Sequence, residues 1–325
     1  MRYVAGMIAA TSASASAPLR LVELPARPLR FDEVRVKVRA IGVNPVDWKM
    51  RGLGSPLGLA QRLLGPRGPL VVGTDFAGEV SEVGASLAGV TLGDRVVGGT
   101  DFSRGQRGSY ADEVVVRPDQ YARLPEGVGF DEAACLPIPG VTAWRALTEI
   151  GGLRGKTGAR VLVLGASGGV GLMAVQLARV LGATAVGVCS ARNAALVRAM
   201  GAEVVDYTAG DALAQAKERG PYELVLNTVG TDAYPVGPCR AMLTPTGALG
   251  LVAVAPRDYP ALLVHRNVRG VLGRPTREHL EPLVAALAKG ELRVTIEAKL
   301  PLAEAEEAHA RSQRGKVAGK LVLVP

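Results

Sequence analysis

Cysteine is scarce in this chain: three in 325 residues, Cys135, Cys189 and Cys239, far apart and without a C-x-x-C pair. They draw neither a disulfide framework nor a zinc knuckle, and a reducing cytoplasm is the expected setting. Histidine is equally rare. His265, His279 and His309 lie towards the C-terminal end without metal-ligand spacing, and His309 reads as a solvated helix residue. Aromatic residues make up only 4% and the arginines are dispersed, which leaves few platforms for stacked bases and excludes a nucleic-acid partner. Lysine supplies eight of the 38 basic residues, against 30 acidic ones, so the net charge of +8 is an arginine excess that draws anionic small molecules.

No membrane partner is expected either. Residues 161–178 carry no charge and are marginally long enough to span a bilayer, but the glycine crowding at their centre, GASGGVG, reads as strand, turn and helix. The opening MRYVAGMIAATSASASA imitates a secretory signal, with a basic residue and an A-x-A site. Its apolar part is short and glycine-interrupted, and strands follow without a break, so it is read as part of the fold.

What is present is 48% hydrophobic residues, 41 glycines and 21 prolines in a length that predicts two domains. From Val34 to about Arg123 short β-rich runs, VRVKVRAIGV, VVGTDFAGEVSEVG, DRVVGG and YADEVVV, are separated by Gly and Pro, the pattern of a mostly antiparallel β domain. Within it residues 51–69 form a Gly/Pro/Leu segment whose middle, LGLAQRLLG, makes either helical turns over a cleft or a surface loop. Beyond the connector ending PIPGVTAWRAL, strands and helices alternate: RVLVLG, TAVGVCS, EVVDY, YELVLNTVG and ALGLVAVA are apolar throughout, as strands of a parallel sheet covered on both faces are. The closing RVTIEAKL and GKLVLVP resemble the first part again. The expected architecture is α/β: a doubly wound, Rossmann-type parallel-sheet domain, residues 126–265, inserted into a mostly antiparallel β catalytic domain, residues 1–125 and 266–325.

The strand RVLVLG runs into Ala166-Ser167-Gly168-Gly169-Val170-Gly171 and then a helix, an A-x-G-x-x-G form of the dinucleotide fingerprint. Small residues let the backbone approach a pyrophosphate, and the helix N-terminus offers it N–H groups and partial positive charge. Ala166, Gly168, Gly169, Val170 and Gly171 are therefore expected to bind cofactor. At the end of the second strand, VGVCSARN, an NAD-preferring chain would carry an acid for the ribose 2′-hydroxyl. Ser190 and Arg192 stand there instead, a hydroxyl and a guanidinium suited to a 2′-phosphate, and Tyr207 could close the same corner. NADPH is the expected cofactor, with Asn227 and Lys316 completing the expected contacts.

The motifs GVNPVDWKMRG, VVGTDFAGEVSEVG, GDRVVG, GSYADEVVV, PIPGVTAWRAL, GASGGVG and GKLVLVP, in this order over nearly the whole chain, resemble the medium-chain dehydrogenase/reductase superfamily. Within it the chain is similar to the zinc-free quinone oxidoreductase and enoyl reductase branch. The resemblance implies a GroES-like catalytic domain and a homodimer in which the nucleotide domains pair sheet edges. It also implies that no metal is bound, since zinc-dependent members carry Cys where this chain has Asn44, His where it has Thr74, and a third ligand near Ile138. Without a Lewis acid, the expected reaction is hydride transfer to a carbon–carbon double bond conjugated to a carbonyl, where hydrogen-bond donors can hold the enolate. A short-chain reductase would need Tyr-x-x-x-Lys, which is absent.

The resemblance places Asn44, Lys49 and Thr142 beside the nicotinamide as catalytic residues, whereas Tyr110 is expected to pack a strand corner. Enoyl-CoA thioesters, enones and quinones all fit as substrates. Arg51, Arg62, Arg67, Arg104 and Arg107 fall in loops expected near a cleft rim and form a cluster that could receive the phosphates of a coenzyme A carrier, with Arg104 and Arg107 the expected substrate-binding residues. One-electron quinone reduction and a non-catalytic NADPH-binding role are the alternatives.

Overall fold

Valine alternates with Arg and Lys through the first half of Val34–Gly42, so one face of this strand is buried and the other wet, until its last residues turn wholly inward. The computed structural model describes residues 6–12, 17–52 and 56–325. The chain divides into two units, Met1–Ile138 with Arg274–Ala288 and Val294–Pro325, and Pro139–Gly273 with Lys289–Arg293.

The first unit begins with β1 (Gly6–Ser12), β2 (Arg20–Pro25), β3 (Val34–Gly42), β4 (Leu70–Val71), β5 (Asp75–Val83), β6 (Arg95–Gly99), β7 (Glu113–Val116) and β8 (Tyr121–Arg123). The second holds β9 (Arg160–Leu164), β10 (Thr184–Cys189), β11 (Ala202–Asp206), β12 (Tyr222–Asn227), β13 (Leu243–Leu251) and β14 (Val268–Gly270), after which β15 (Ile296–Pro301) and β16 (Lys320–Val324) return to the first.

In the first unit the sheet order is β15-β16-β3-β5-β6-β8, with β7 also on β3 and a separate β2-β1-β4 sheet. Its pairings are antiparallel apart from β15 with β16. Val36, Ile41, Phe76, Val96, Tyr110 and Leu323 are among its buried core residues. The C-terminal strand lies against the strand that leads into Asn44: Val322 faces Gly42, and the Val43 N–H donates to the Leu321 carbonyl (3.0 Å). This register puts Lys320 beside Asn44.

In the second unit all pairings are parallel, in the order β11-β10-β9-β12-β13-β14. Numbered within the unit this is 3-2-1-4-5-6, the doubly wound order that binds dinucleotides where the strand order reverses. Leu162, Leu164, Val186, Val188, Val225 and Leu249 are fully buried because helices cover a parallel sheet on both faces. The α/β architecture is as expected.

The division falls after Ile138 and Gly273 rather than after 125 and 265. The helix Phe130–Ala133 belongs with the antiparallel sheet: a Cβ on Gly42 would lie 2.2 Å from the Ala134 carbonyl oxygen, and the Ile138 N–H donates to Asp75 (3.1 Å). At the other end, β14 pairs with β13, which carries the parallel sheet beyond residue 265. Of the segment expected as helix or loop, Pro56–Leu64 is a helix, and residues 53–55 lie outside the described set. The stretch that imitates a secretory signal contributes β1, with residues 1–5 and 13–16 outside the described set. Among the described residues no helix is long and apolar enough to cross a membrane.

Candidate functional site

In the first unit, β3 ends at Gly42, Asn44 caps the next element, and Pro45 opens a five-residue helix, Pro45–Lys49. The carboxylate of Asp47, three residues on, accepts the Asn44 backbone N–H (2.7 Å), which closes the turn and points Asp47 inward. Thr74 and Asp75 arrive from the start of β5, and Lys320 from the start of β16. The Asn44 amide donates to Asp75 Oδ2 (2.8 Å), weakly to the Gly42 carbonyl (3.3 Å) and at the limit to Thr74 Oγ1 (3.5 Å). Its Oδ1 accepts from Lys320 Nζ (2.6 Å), which also donates to the Val43 carbonyl (2.6 Å).

A second arm reaches Asp47 from the helix Ala305–Gln313. Asp47 Oδ1 accepts from the Thr74 hydroxyl (3.2 Å) and Oδ2 from the Tyr110 hydroxyl (3.2 Å). Tyr110 meets His309 Nε2 (3.1 Å), and His309 Nδ1 meets Arg51 Nη1 (3.1 Å). Arg51 also pairs with Glu306 (3.0 Å) and donates to the Ala17 carbonyl (2.6 Å). Nearly every side chain of this network is buried, with Asp47 and Asp75 at 0% exposure and Lys320 at 4%.

Burial sets the ionisation here. It pushes the Asp47 carboxyl up to about 7, helped by the like charge of Asp75 and opposed by the Asn44 N–H, Lys320 and Thr74. It pushes Asp75 up to about 6 against the pull of Lys320, Asn44 and the Ile138 N–H. The His309 imidazole is held down at about 4 by burial and by the Arg51 charge, and the Tyr110 phenol rises well above its usual range through burial and the nearby Asp47.

The expected residues fare unequally. Asn44 is at the centre, but Lys320, Asp75 and Gly42 occupy its amide, so it holds the site in shape more than it offers a donor. Lys49 is half-buried with its ammonium 5.4 Å from the Trp48 ring centre, and Thr142 is buried on the helix Pro137–Arg145. Arg51 is not a rim residue but 8% exposed and bound into the second arm. Arg104 grips Asp119 with both nitrogens (3.0 and 2.7 Å), and Arg107 donates to the Pro25 carbonyl (2.9 Å). A carboxylate already fills the fork that was expected to receive a phosphate.

Sequence reasoning missed Lys320, Asp75 and the role of Tyr110, and misread His309, which is 1% exposed. The signal for His309 was available: Ala305, Ala308 and His309 are spaced to share one helix face, and all three are buried.

In the second unit, β9 leads through Gly165, whose φ of +85° suits a residue without a side chain, into the helix Gly169–Val180. Gly168 caps that helix, and Asn193 Nδ2 donates to Ser167 Oγ (3.0 Å), tying this turn to the one after β10. Ala166 is buried, while Gly168, Gly169 and Val170 are half-buried at the helix start. Ser190 and Arg192 lie in the turn after β10, and Tyr207 is exposed just after β11.

Strand pairing also brings in an acid, Asp206, opposite Cys189. Its carboxylate accepts from the Thr208 N–H (2.8 Å) and hydroxyl (2.6 Å), which hold it below the usual range, with a further backbone hydrogen bond from Ala191. Asn227 shapes a loop and has no capacity left for a cofactor. Its amide donates to the Gly230 and Tyr234 carbonyls, and its oxygen accepts from the Val229 and Gly230 N–H groups. Lys316 is exposed in the first unit, between the helix Ala305–Gln313 and β16.

Residues 30–126 match the alcohol dehydrogenase GroES-like domain and residues 200–323 the zinc-binding dehydrogenase family. The chain is 33% identical to the chloroplast envelope quinone oxidoreductase homolog of Arabidopsis thaliana, over 95% of both proteins. It is 32% identical to the mitochondrial NAD(P)H oxidoreductase RTN4IP1 of Danio rerio, over 90% of this chain and 83% of that one. The solved quinone oxidoreductase of Coxiella burnetii superposes with a TM-score of 0.86 at 31% identity, over 99% of each chain.

The residues do not fit the zinc that one of these family descriptions names. At the ligand positions stand an amide, a hydroxyl and an alkyl side chain, and the Lys320 ammonium on Asn44 Oδ1 would repel a metal cation. Among the described residues no cluster of His, Cys, Asp or Glu could hold one.

Proposed function

The chain belongs to the medium-chain dehydrogenase/reductase superfamily, in its quinone oxidoreductase branch, and on that premise we propose a zinc-independent, NADPH-dependent reductase of quinones and enones. The observation that supports this most is what stands at the metal positions: where a metal would need thiolate and imidazole, the chain has built a buried array of amide, hydroxyl and ammonium bonded to one another and to Asp75. Hydride addition to a conjugated double bond leaves its charge on an oxygen, which hydrogen-bond donors and a proton can satisfy. NADPH supplies the hydride when bound. The Gly168–Gly171 turn meets the pyrophosphate with backbone N–H groups, and the Ser190 hydroxyl and Arg192 guanidinium meet the 2′-phosphate. Asp206, at the end of the next strand, keeps one carboxylate oxygen on the Thr208 N–H and hydroxyl.

The test is oxidation of NADPH and of NADH with simple quinones, enones and short enoyl-CoAs. Turnover of quinones or enones with NADPH is expected, and Arg192→Ala should weaken NADPH binding roughly ten- to hundredfold while leaving NADH almost untouched. Preference for enoyl-CoA would restore the thioester reading that the engaged Arg104 and Arg107 disfavour, and semiquinone products would indicate one-electron chemistry. No turnover with any acceptor would leave a dinucleotide-binding protein without this activity.

For assembly, β14 ends the parallel sheet, and an open edge invites pairing. Nearby Leu263, Val264 and Leu272 are 84%, 73% and 65% exposed. A homodimer across this edge is the proposed state. Light scattering should give about twice the 33.7 kDa chain mass, and Val264→Lys should shift the protein towards monomer; a monomeric wild type at micromolar concentration would refute it.

A further inference from the structure

Within the second unit the dinucleotide turn, the turn after β10 and the end of β11 form one connected corner. Ser167, in the first turn, accepts from the Asn193 amide in the second (3.0 Å). The second turn leans on β11: the Tyr207 N–H donates to the Cys189 carbonyl (3.1 Å), and the Ala191 N–H reaches the Asp206 carboxylate. Cys189 and Asp206 are register partners, and paired strands run roughly 4.8 Å apart. A cofactor with its pyrophosphate on the Gly168–Gly171 turn brings its adenosine ribose to the turn after the second strand. In the cofactor position proposed above, Asp206 therefore stands about one strand spacing from the turn that meets the ribose 2′ substituent.

Asp206 keeps its charge there. Both Thr208 bonds end on Oδ1, the N–H at 2.8 Å and the hydroxyl at 2.6 Å, and they hold the carboxyl below the usual range. Thr208 leaves Oδ2 unused, and Arg198 acts on the carboxylate as a charge and not as a hydrogen-bond partner. The corner thus carries two opposed signals. The Ser190 hydroxyl and the Arg192 guanidinium attract a phosphate, whereas a carboxylate repels a phosphate and accepts from a hydroxyl. At 0.1 M salt the screening length is about 10 Å, so the opposition survives in ordinary buffer.

We propose that Asp206 sets the ratio of NADPH to NADH binding: its carboxylate opposes the 2′-phosphate that Ser190 and Arg192 attract, and accepts the 2′-hydroxyl of NADH. The acid that VGVCSARN lacks at the end of the second strand is supplied from the neighbouring strand instead. NADPH is then taken first without NADH being excluded. Asp206 is a specificity residue that acts through its charge, and this role rests on the cofactor reading given above.

Fluorescence titration with NADPH and NADH tests the role without turnover. In Asp206→Asn, which keeps the size of the side chain and an acceptor for the Thr208 N–H, NADPH should bind about five- to tenfold tighter and NADH about threefold weaker. At 1 M salt, where the screening length falls to about 3 Å, the gain for NADPH should shrink to about twofold. Glu203→Gln removes the same charge from the other end of β11, where Glu203 pairs with Arg160 (3.1 Å), and should move the ratio by less than twofold. Loss of both cofactors in parallel in a folded Asp206→Asn would reduce the residue to a brace for the turn and overturn the proposal. An equal shift in Glu203→Gln would do the same, since net charge and not this corner would then be at work. A ratio that Arg192→Ala collapses but Asp206→Asn leaves within twofold removes Asp206 alone. A ratio that neither variant moves would place the 2′-phosphate elsewhere and take the NADPH assignment with it.

Discussion

Lys320→Met should cost the fold about 3 kcal/mol or more, the size expected when one side of a buried charge arrangement is removed. The ammonium is the positive charge closest to hand for two fully buried carboxyls, pulling down the pKa of both Asp75 and Asp47. It also fills the Val43 carbonyl and Asn44 Oδ1, which a thioether cannot do. The loss should depend on pH, with a definite sign. Both carboxyls have raised pKa values in the fold, so they give up protons on unfolding and stability falls as pH rises from the usual carboxylate range towards 7. Removing Lys320 pushes them higher still, so the defect should be mild at pH 5, where the carboxyls can stay neutral, and largest near pH 8. Chemical denaturation of wild type and variant at the two pH values measures it. Lys320→Met combined with Asp75→Asn should regain much of the stability, because the second change removes the stranded charge. A defect of equal size at both pH values would mean that Lys320 matters for packing and not for charge.

How far the sequence could have foretold this depends on what kind of information each residue carries. Strand and helix periods, and the A-x-G-x-x-G turn, are local, and they were enough for a doubly wound sheet, an antiparallel partner and the position of the dinucleotide turn. Asn44 was legible because its motif stands in one short stretch. Lys320 was not: a lysine opening the apolar run GKLVLVP reads as a solvated strand start, and only the pairing of β16 with β3, some 280 residues away in sequence, turns it inward. Asp206 was missed for the same reason, since its place opposite Cys189 exists only once β10 and β11 are paired. Arg104 shows the converse error. Its charge was visible, but its partner Asp119 was fifteen residues distant on another turn, and charge alone could not say that the fork was already filled.

Two glycines of the dinucleotide turn should separate the two reasons for small residues there. A Cβ on Gly171 would lie 2.2 Å from the Gly165 carbonyl oxygen and 2.7 Å from Ala166 Cα, both backbone atoms that cannot swing aside. Gly171→Val must therefore lift the start of the helix Gly169–Val180 from β9. Overpacking of this kind costs about 1–3 kcal/mol of stability, and the displaced helix start should weaken NADPH at least roughly a hundredfold. At Gly168 the surroundings are open: the nearest atom to an added Cβ is the Gly165 oxygen at 3.6 Å, an ordinary contact, and φ is −79°. Gly168→Ala should accordingly melt close to wild type. Its methyl nevertheless stands at the cap of the helix, where the proposed cofactor site brings backbone close to a pyrophosphate, so NADPH affinity should still fall about tenfold or more. Melting curves and NADPH titration by fluorescence give the two readouts for each variant. A Gly168→Ala protein that is stable and binds NADPH like wild type would show that the pyrophosphate does not lie on this helix start, and would take the cofactor site of the second unit with it.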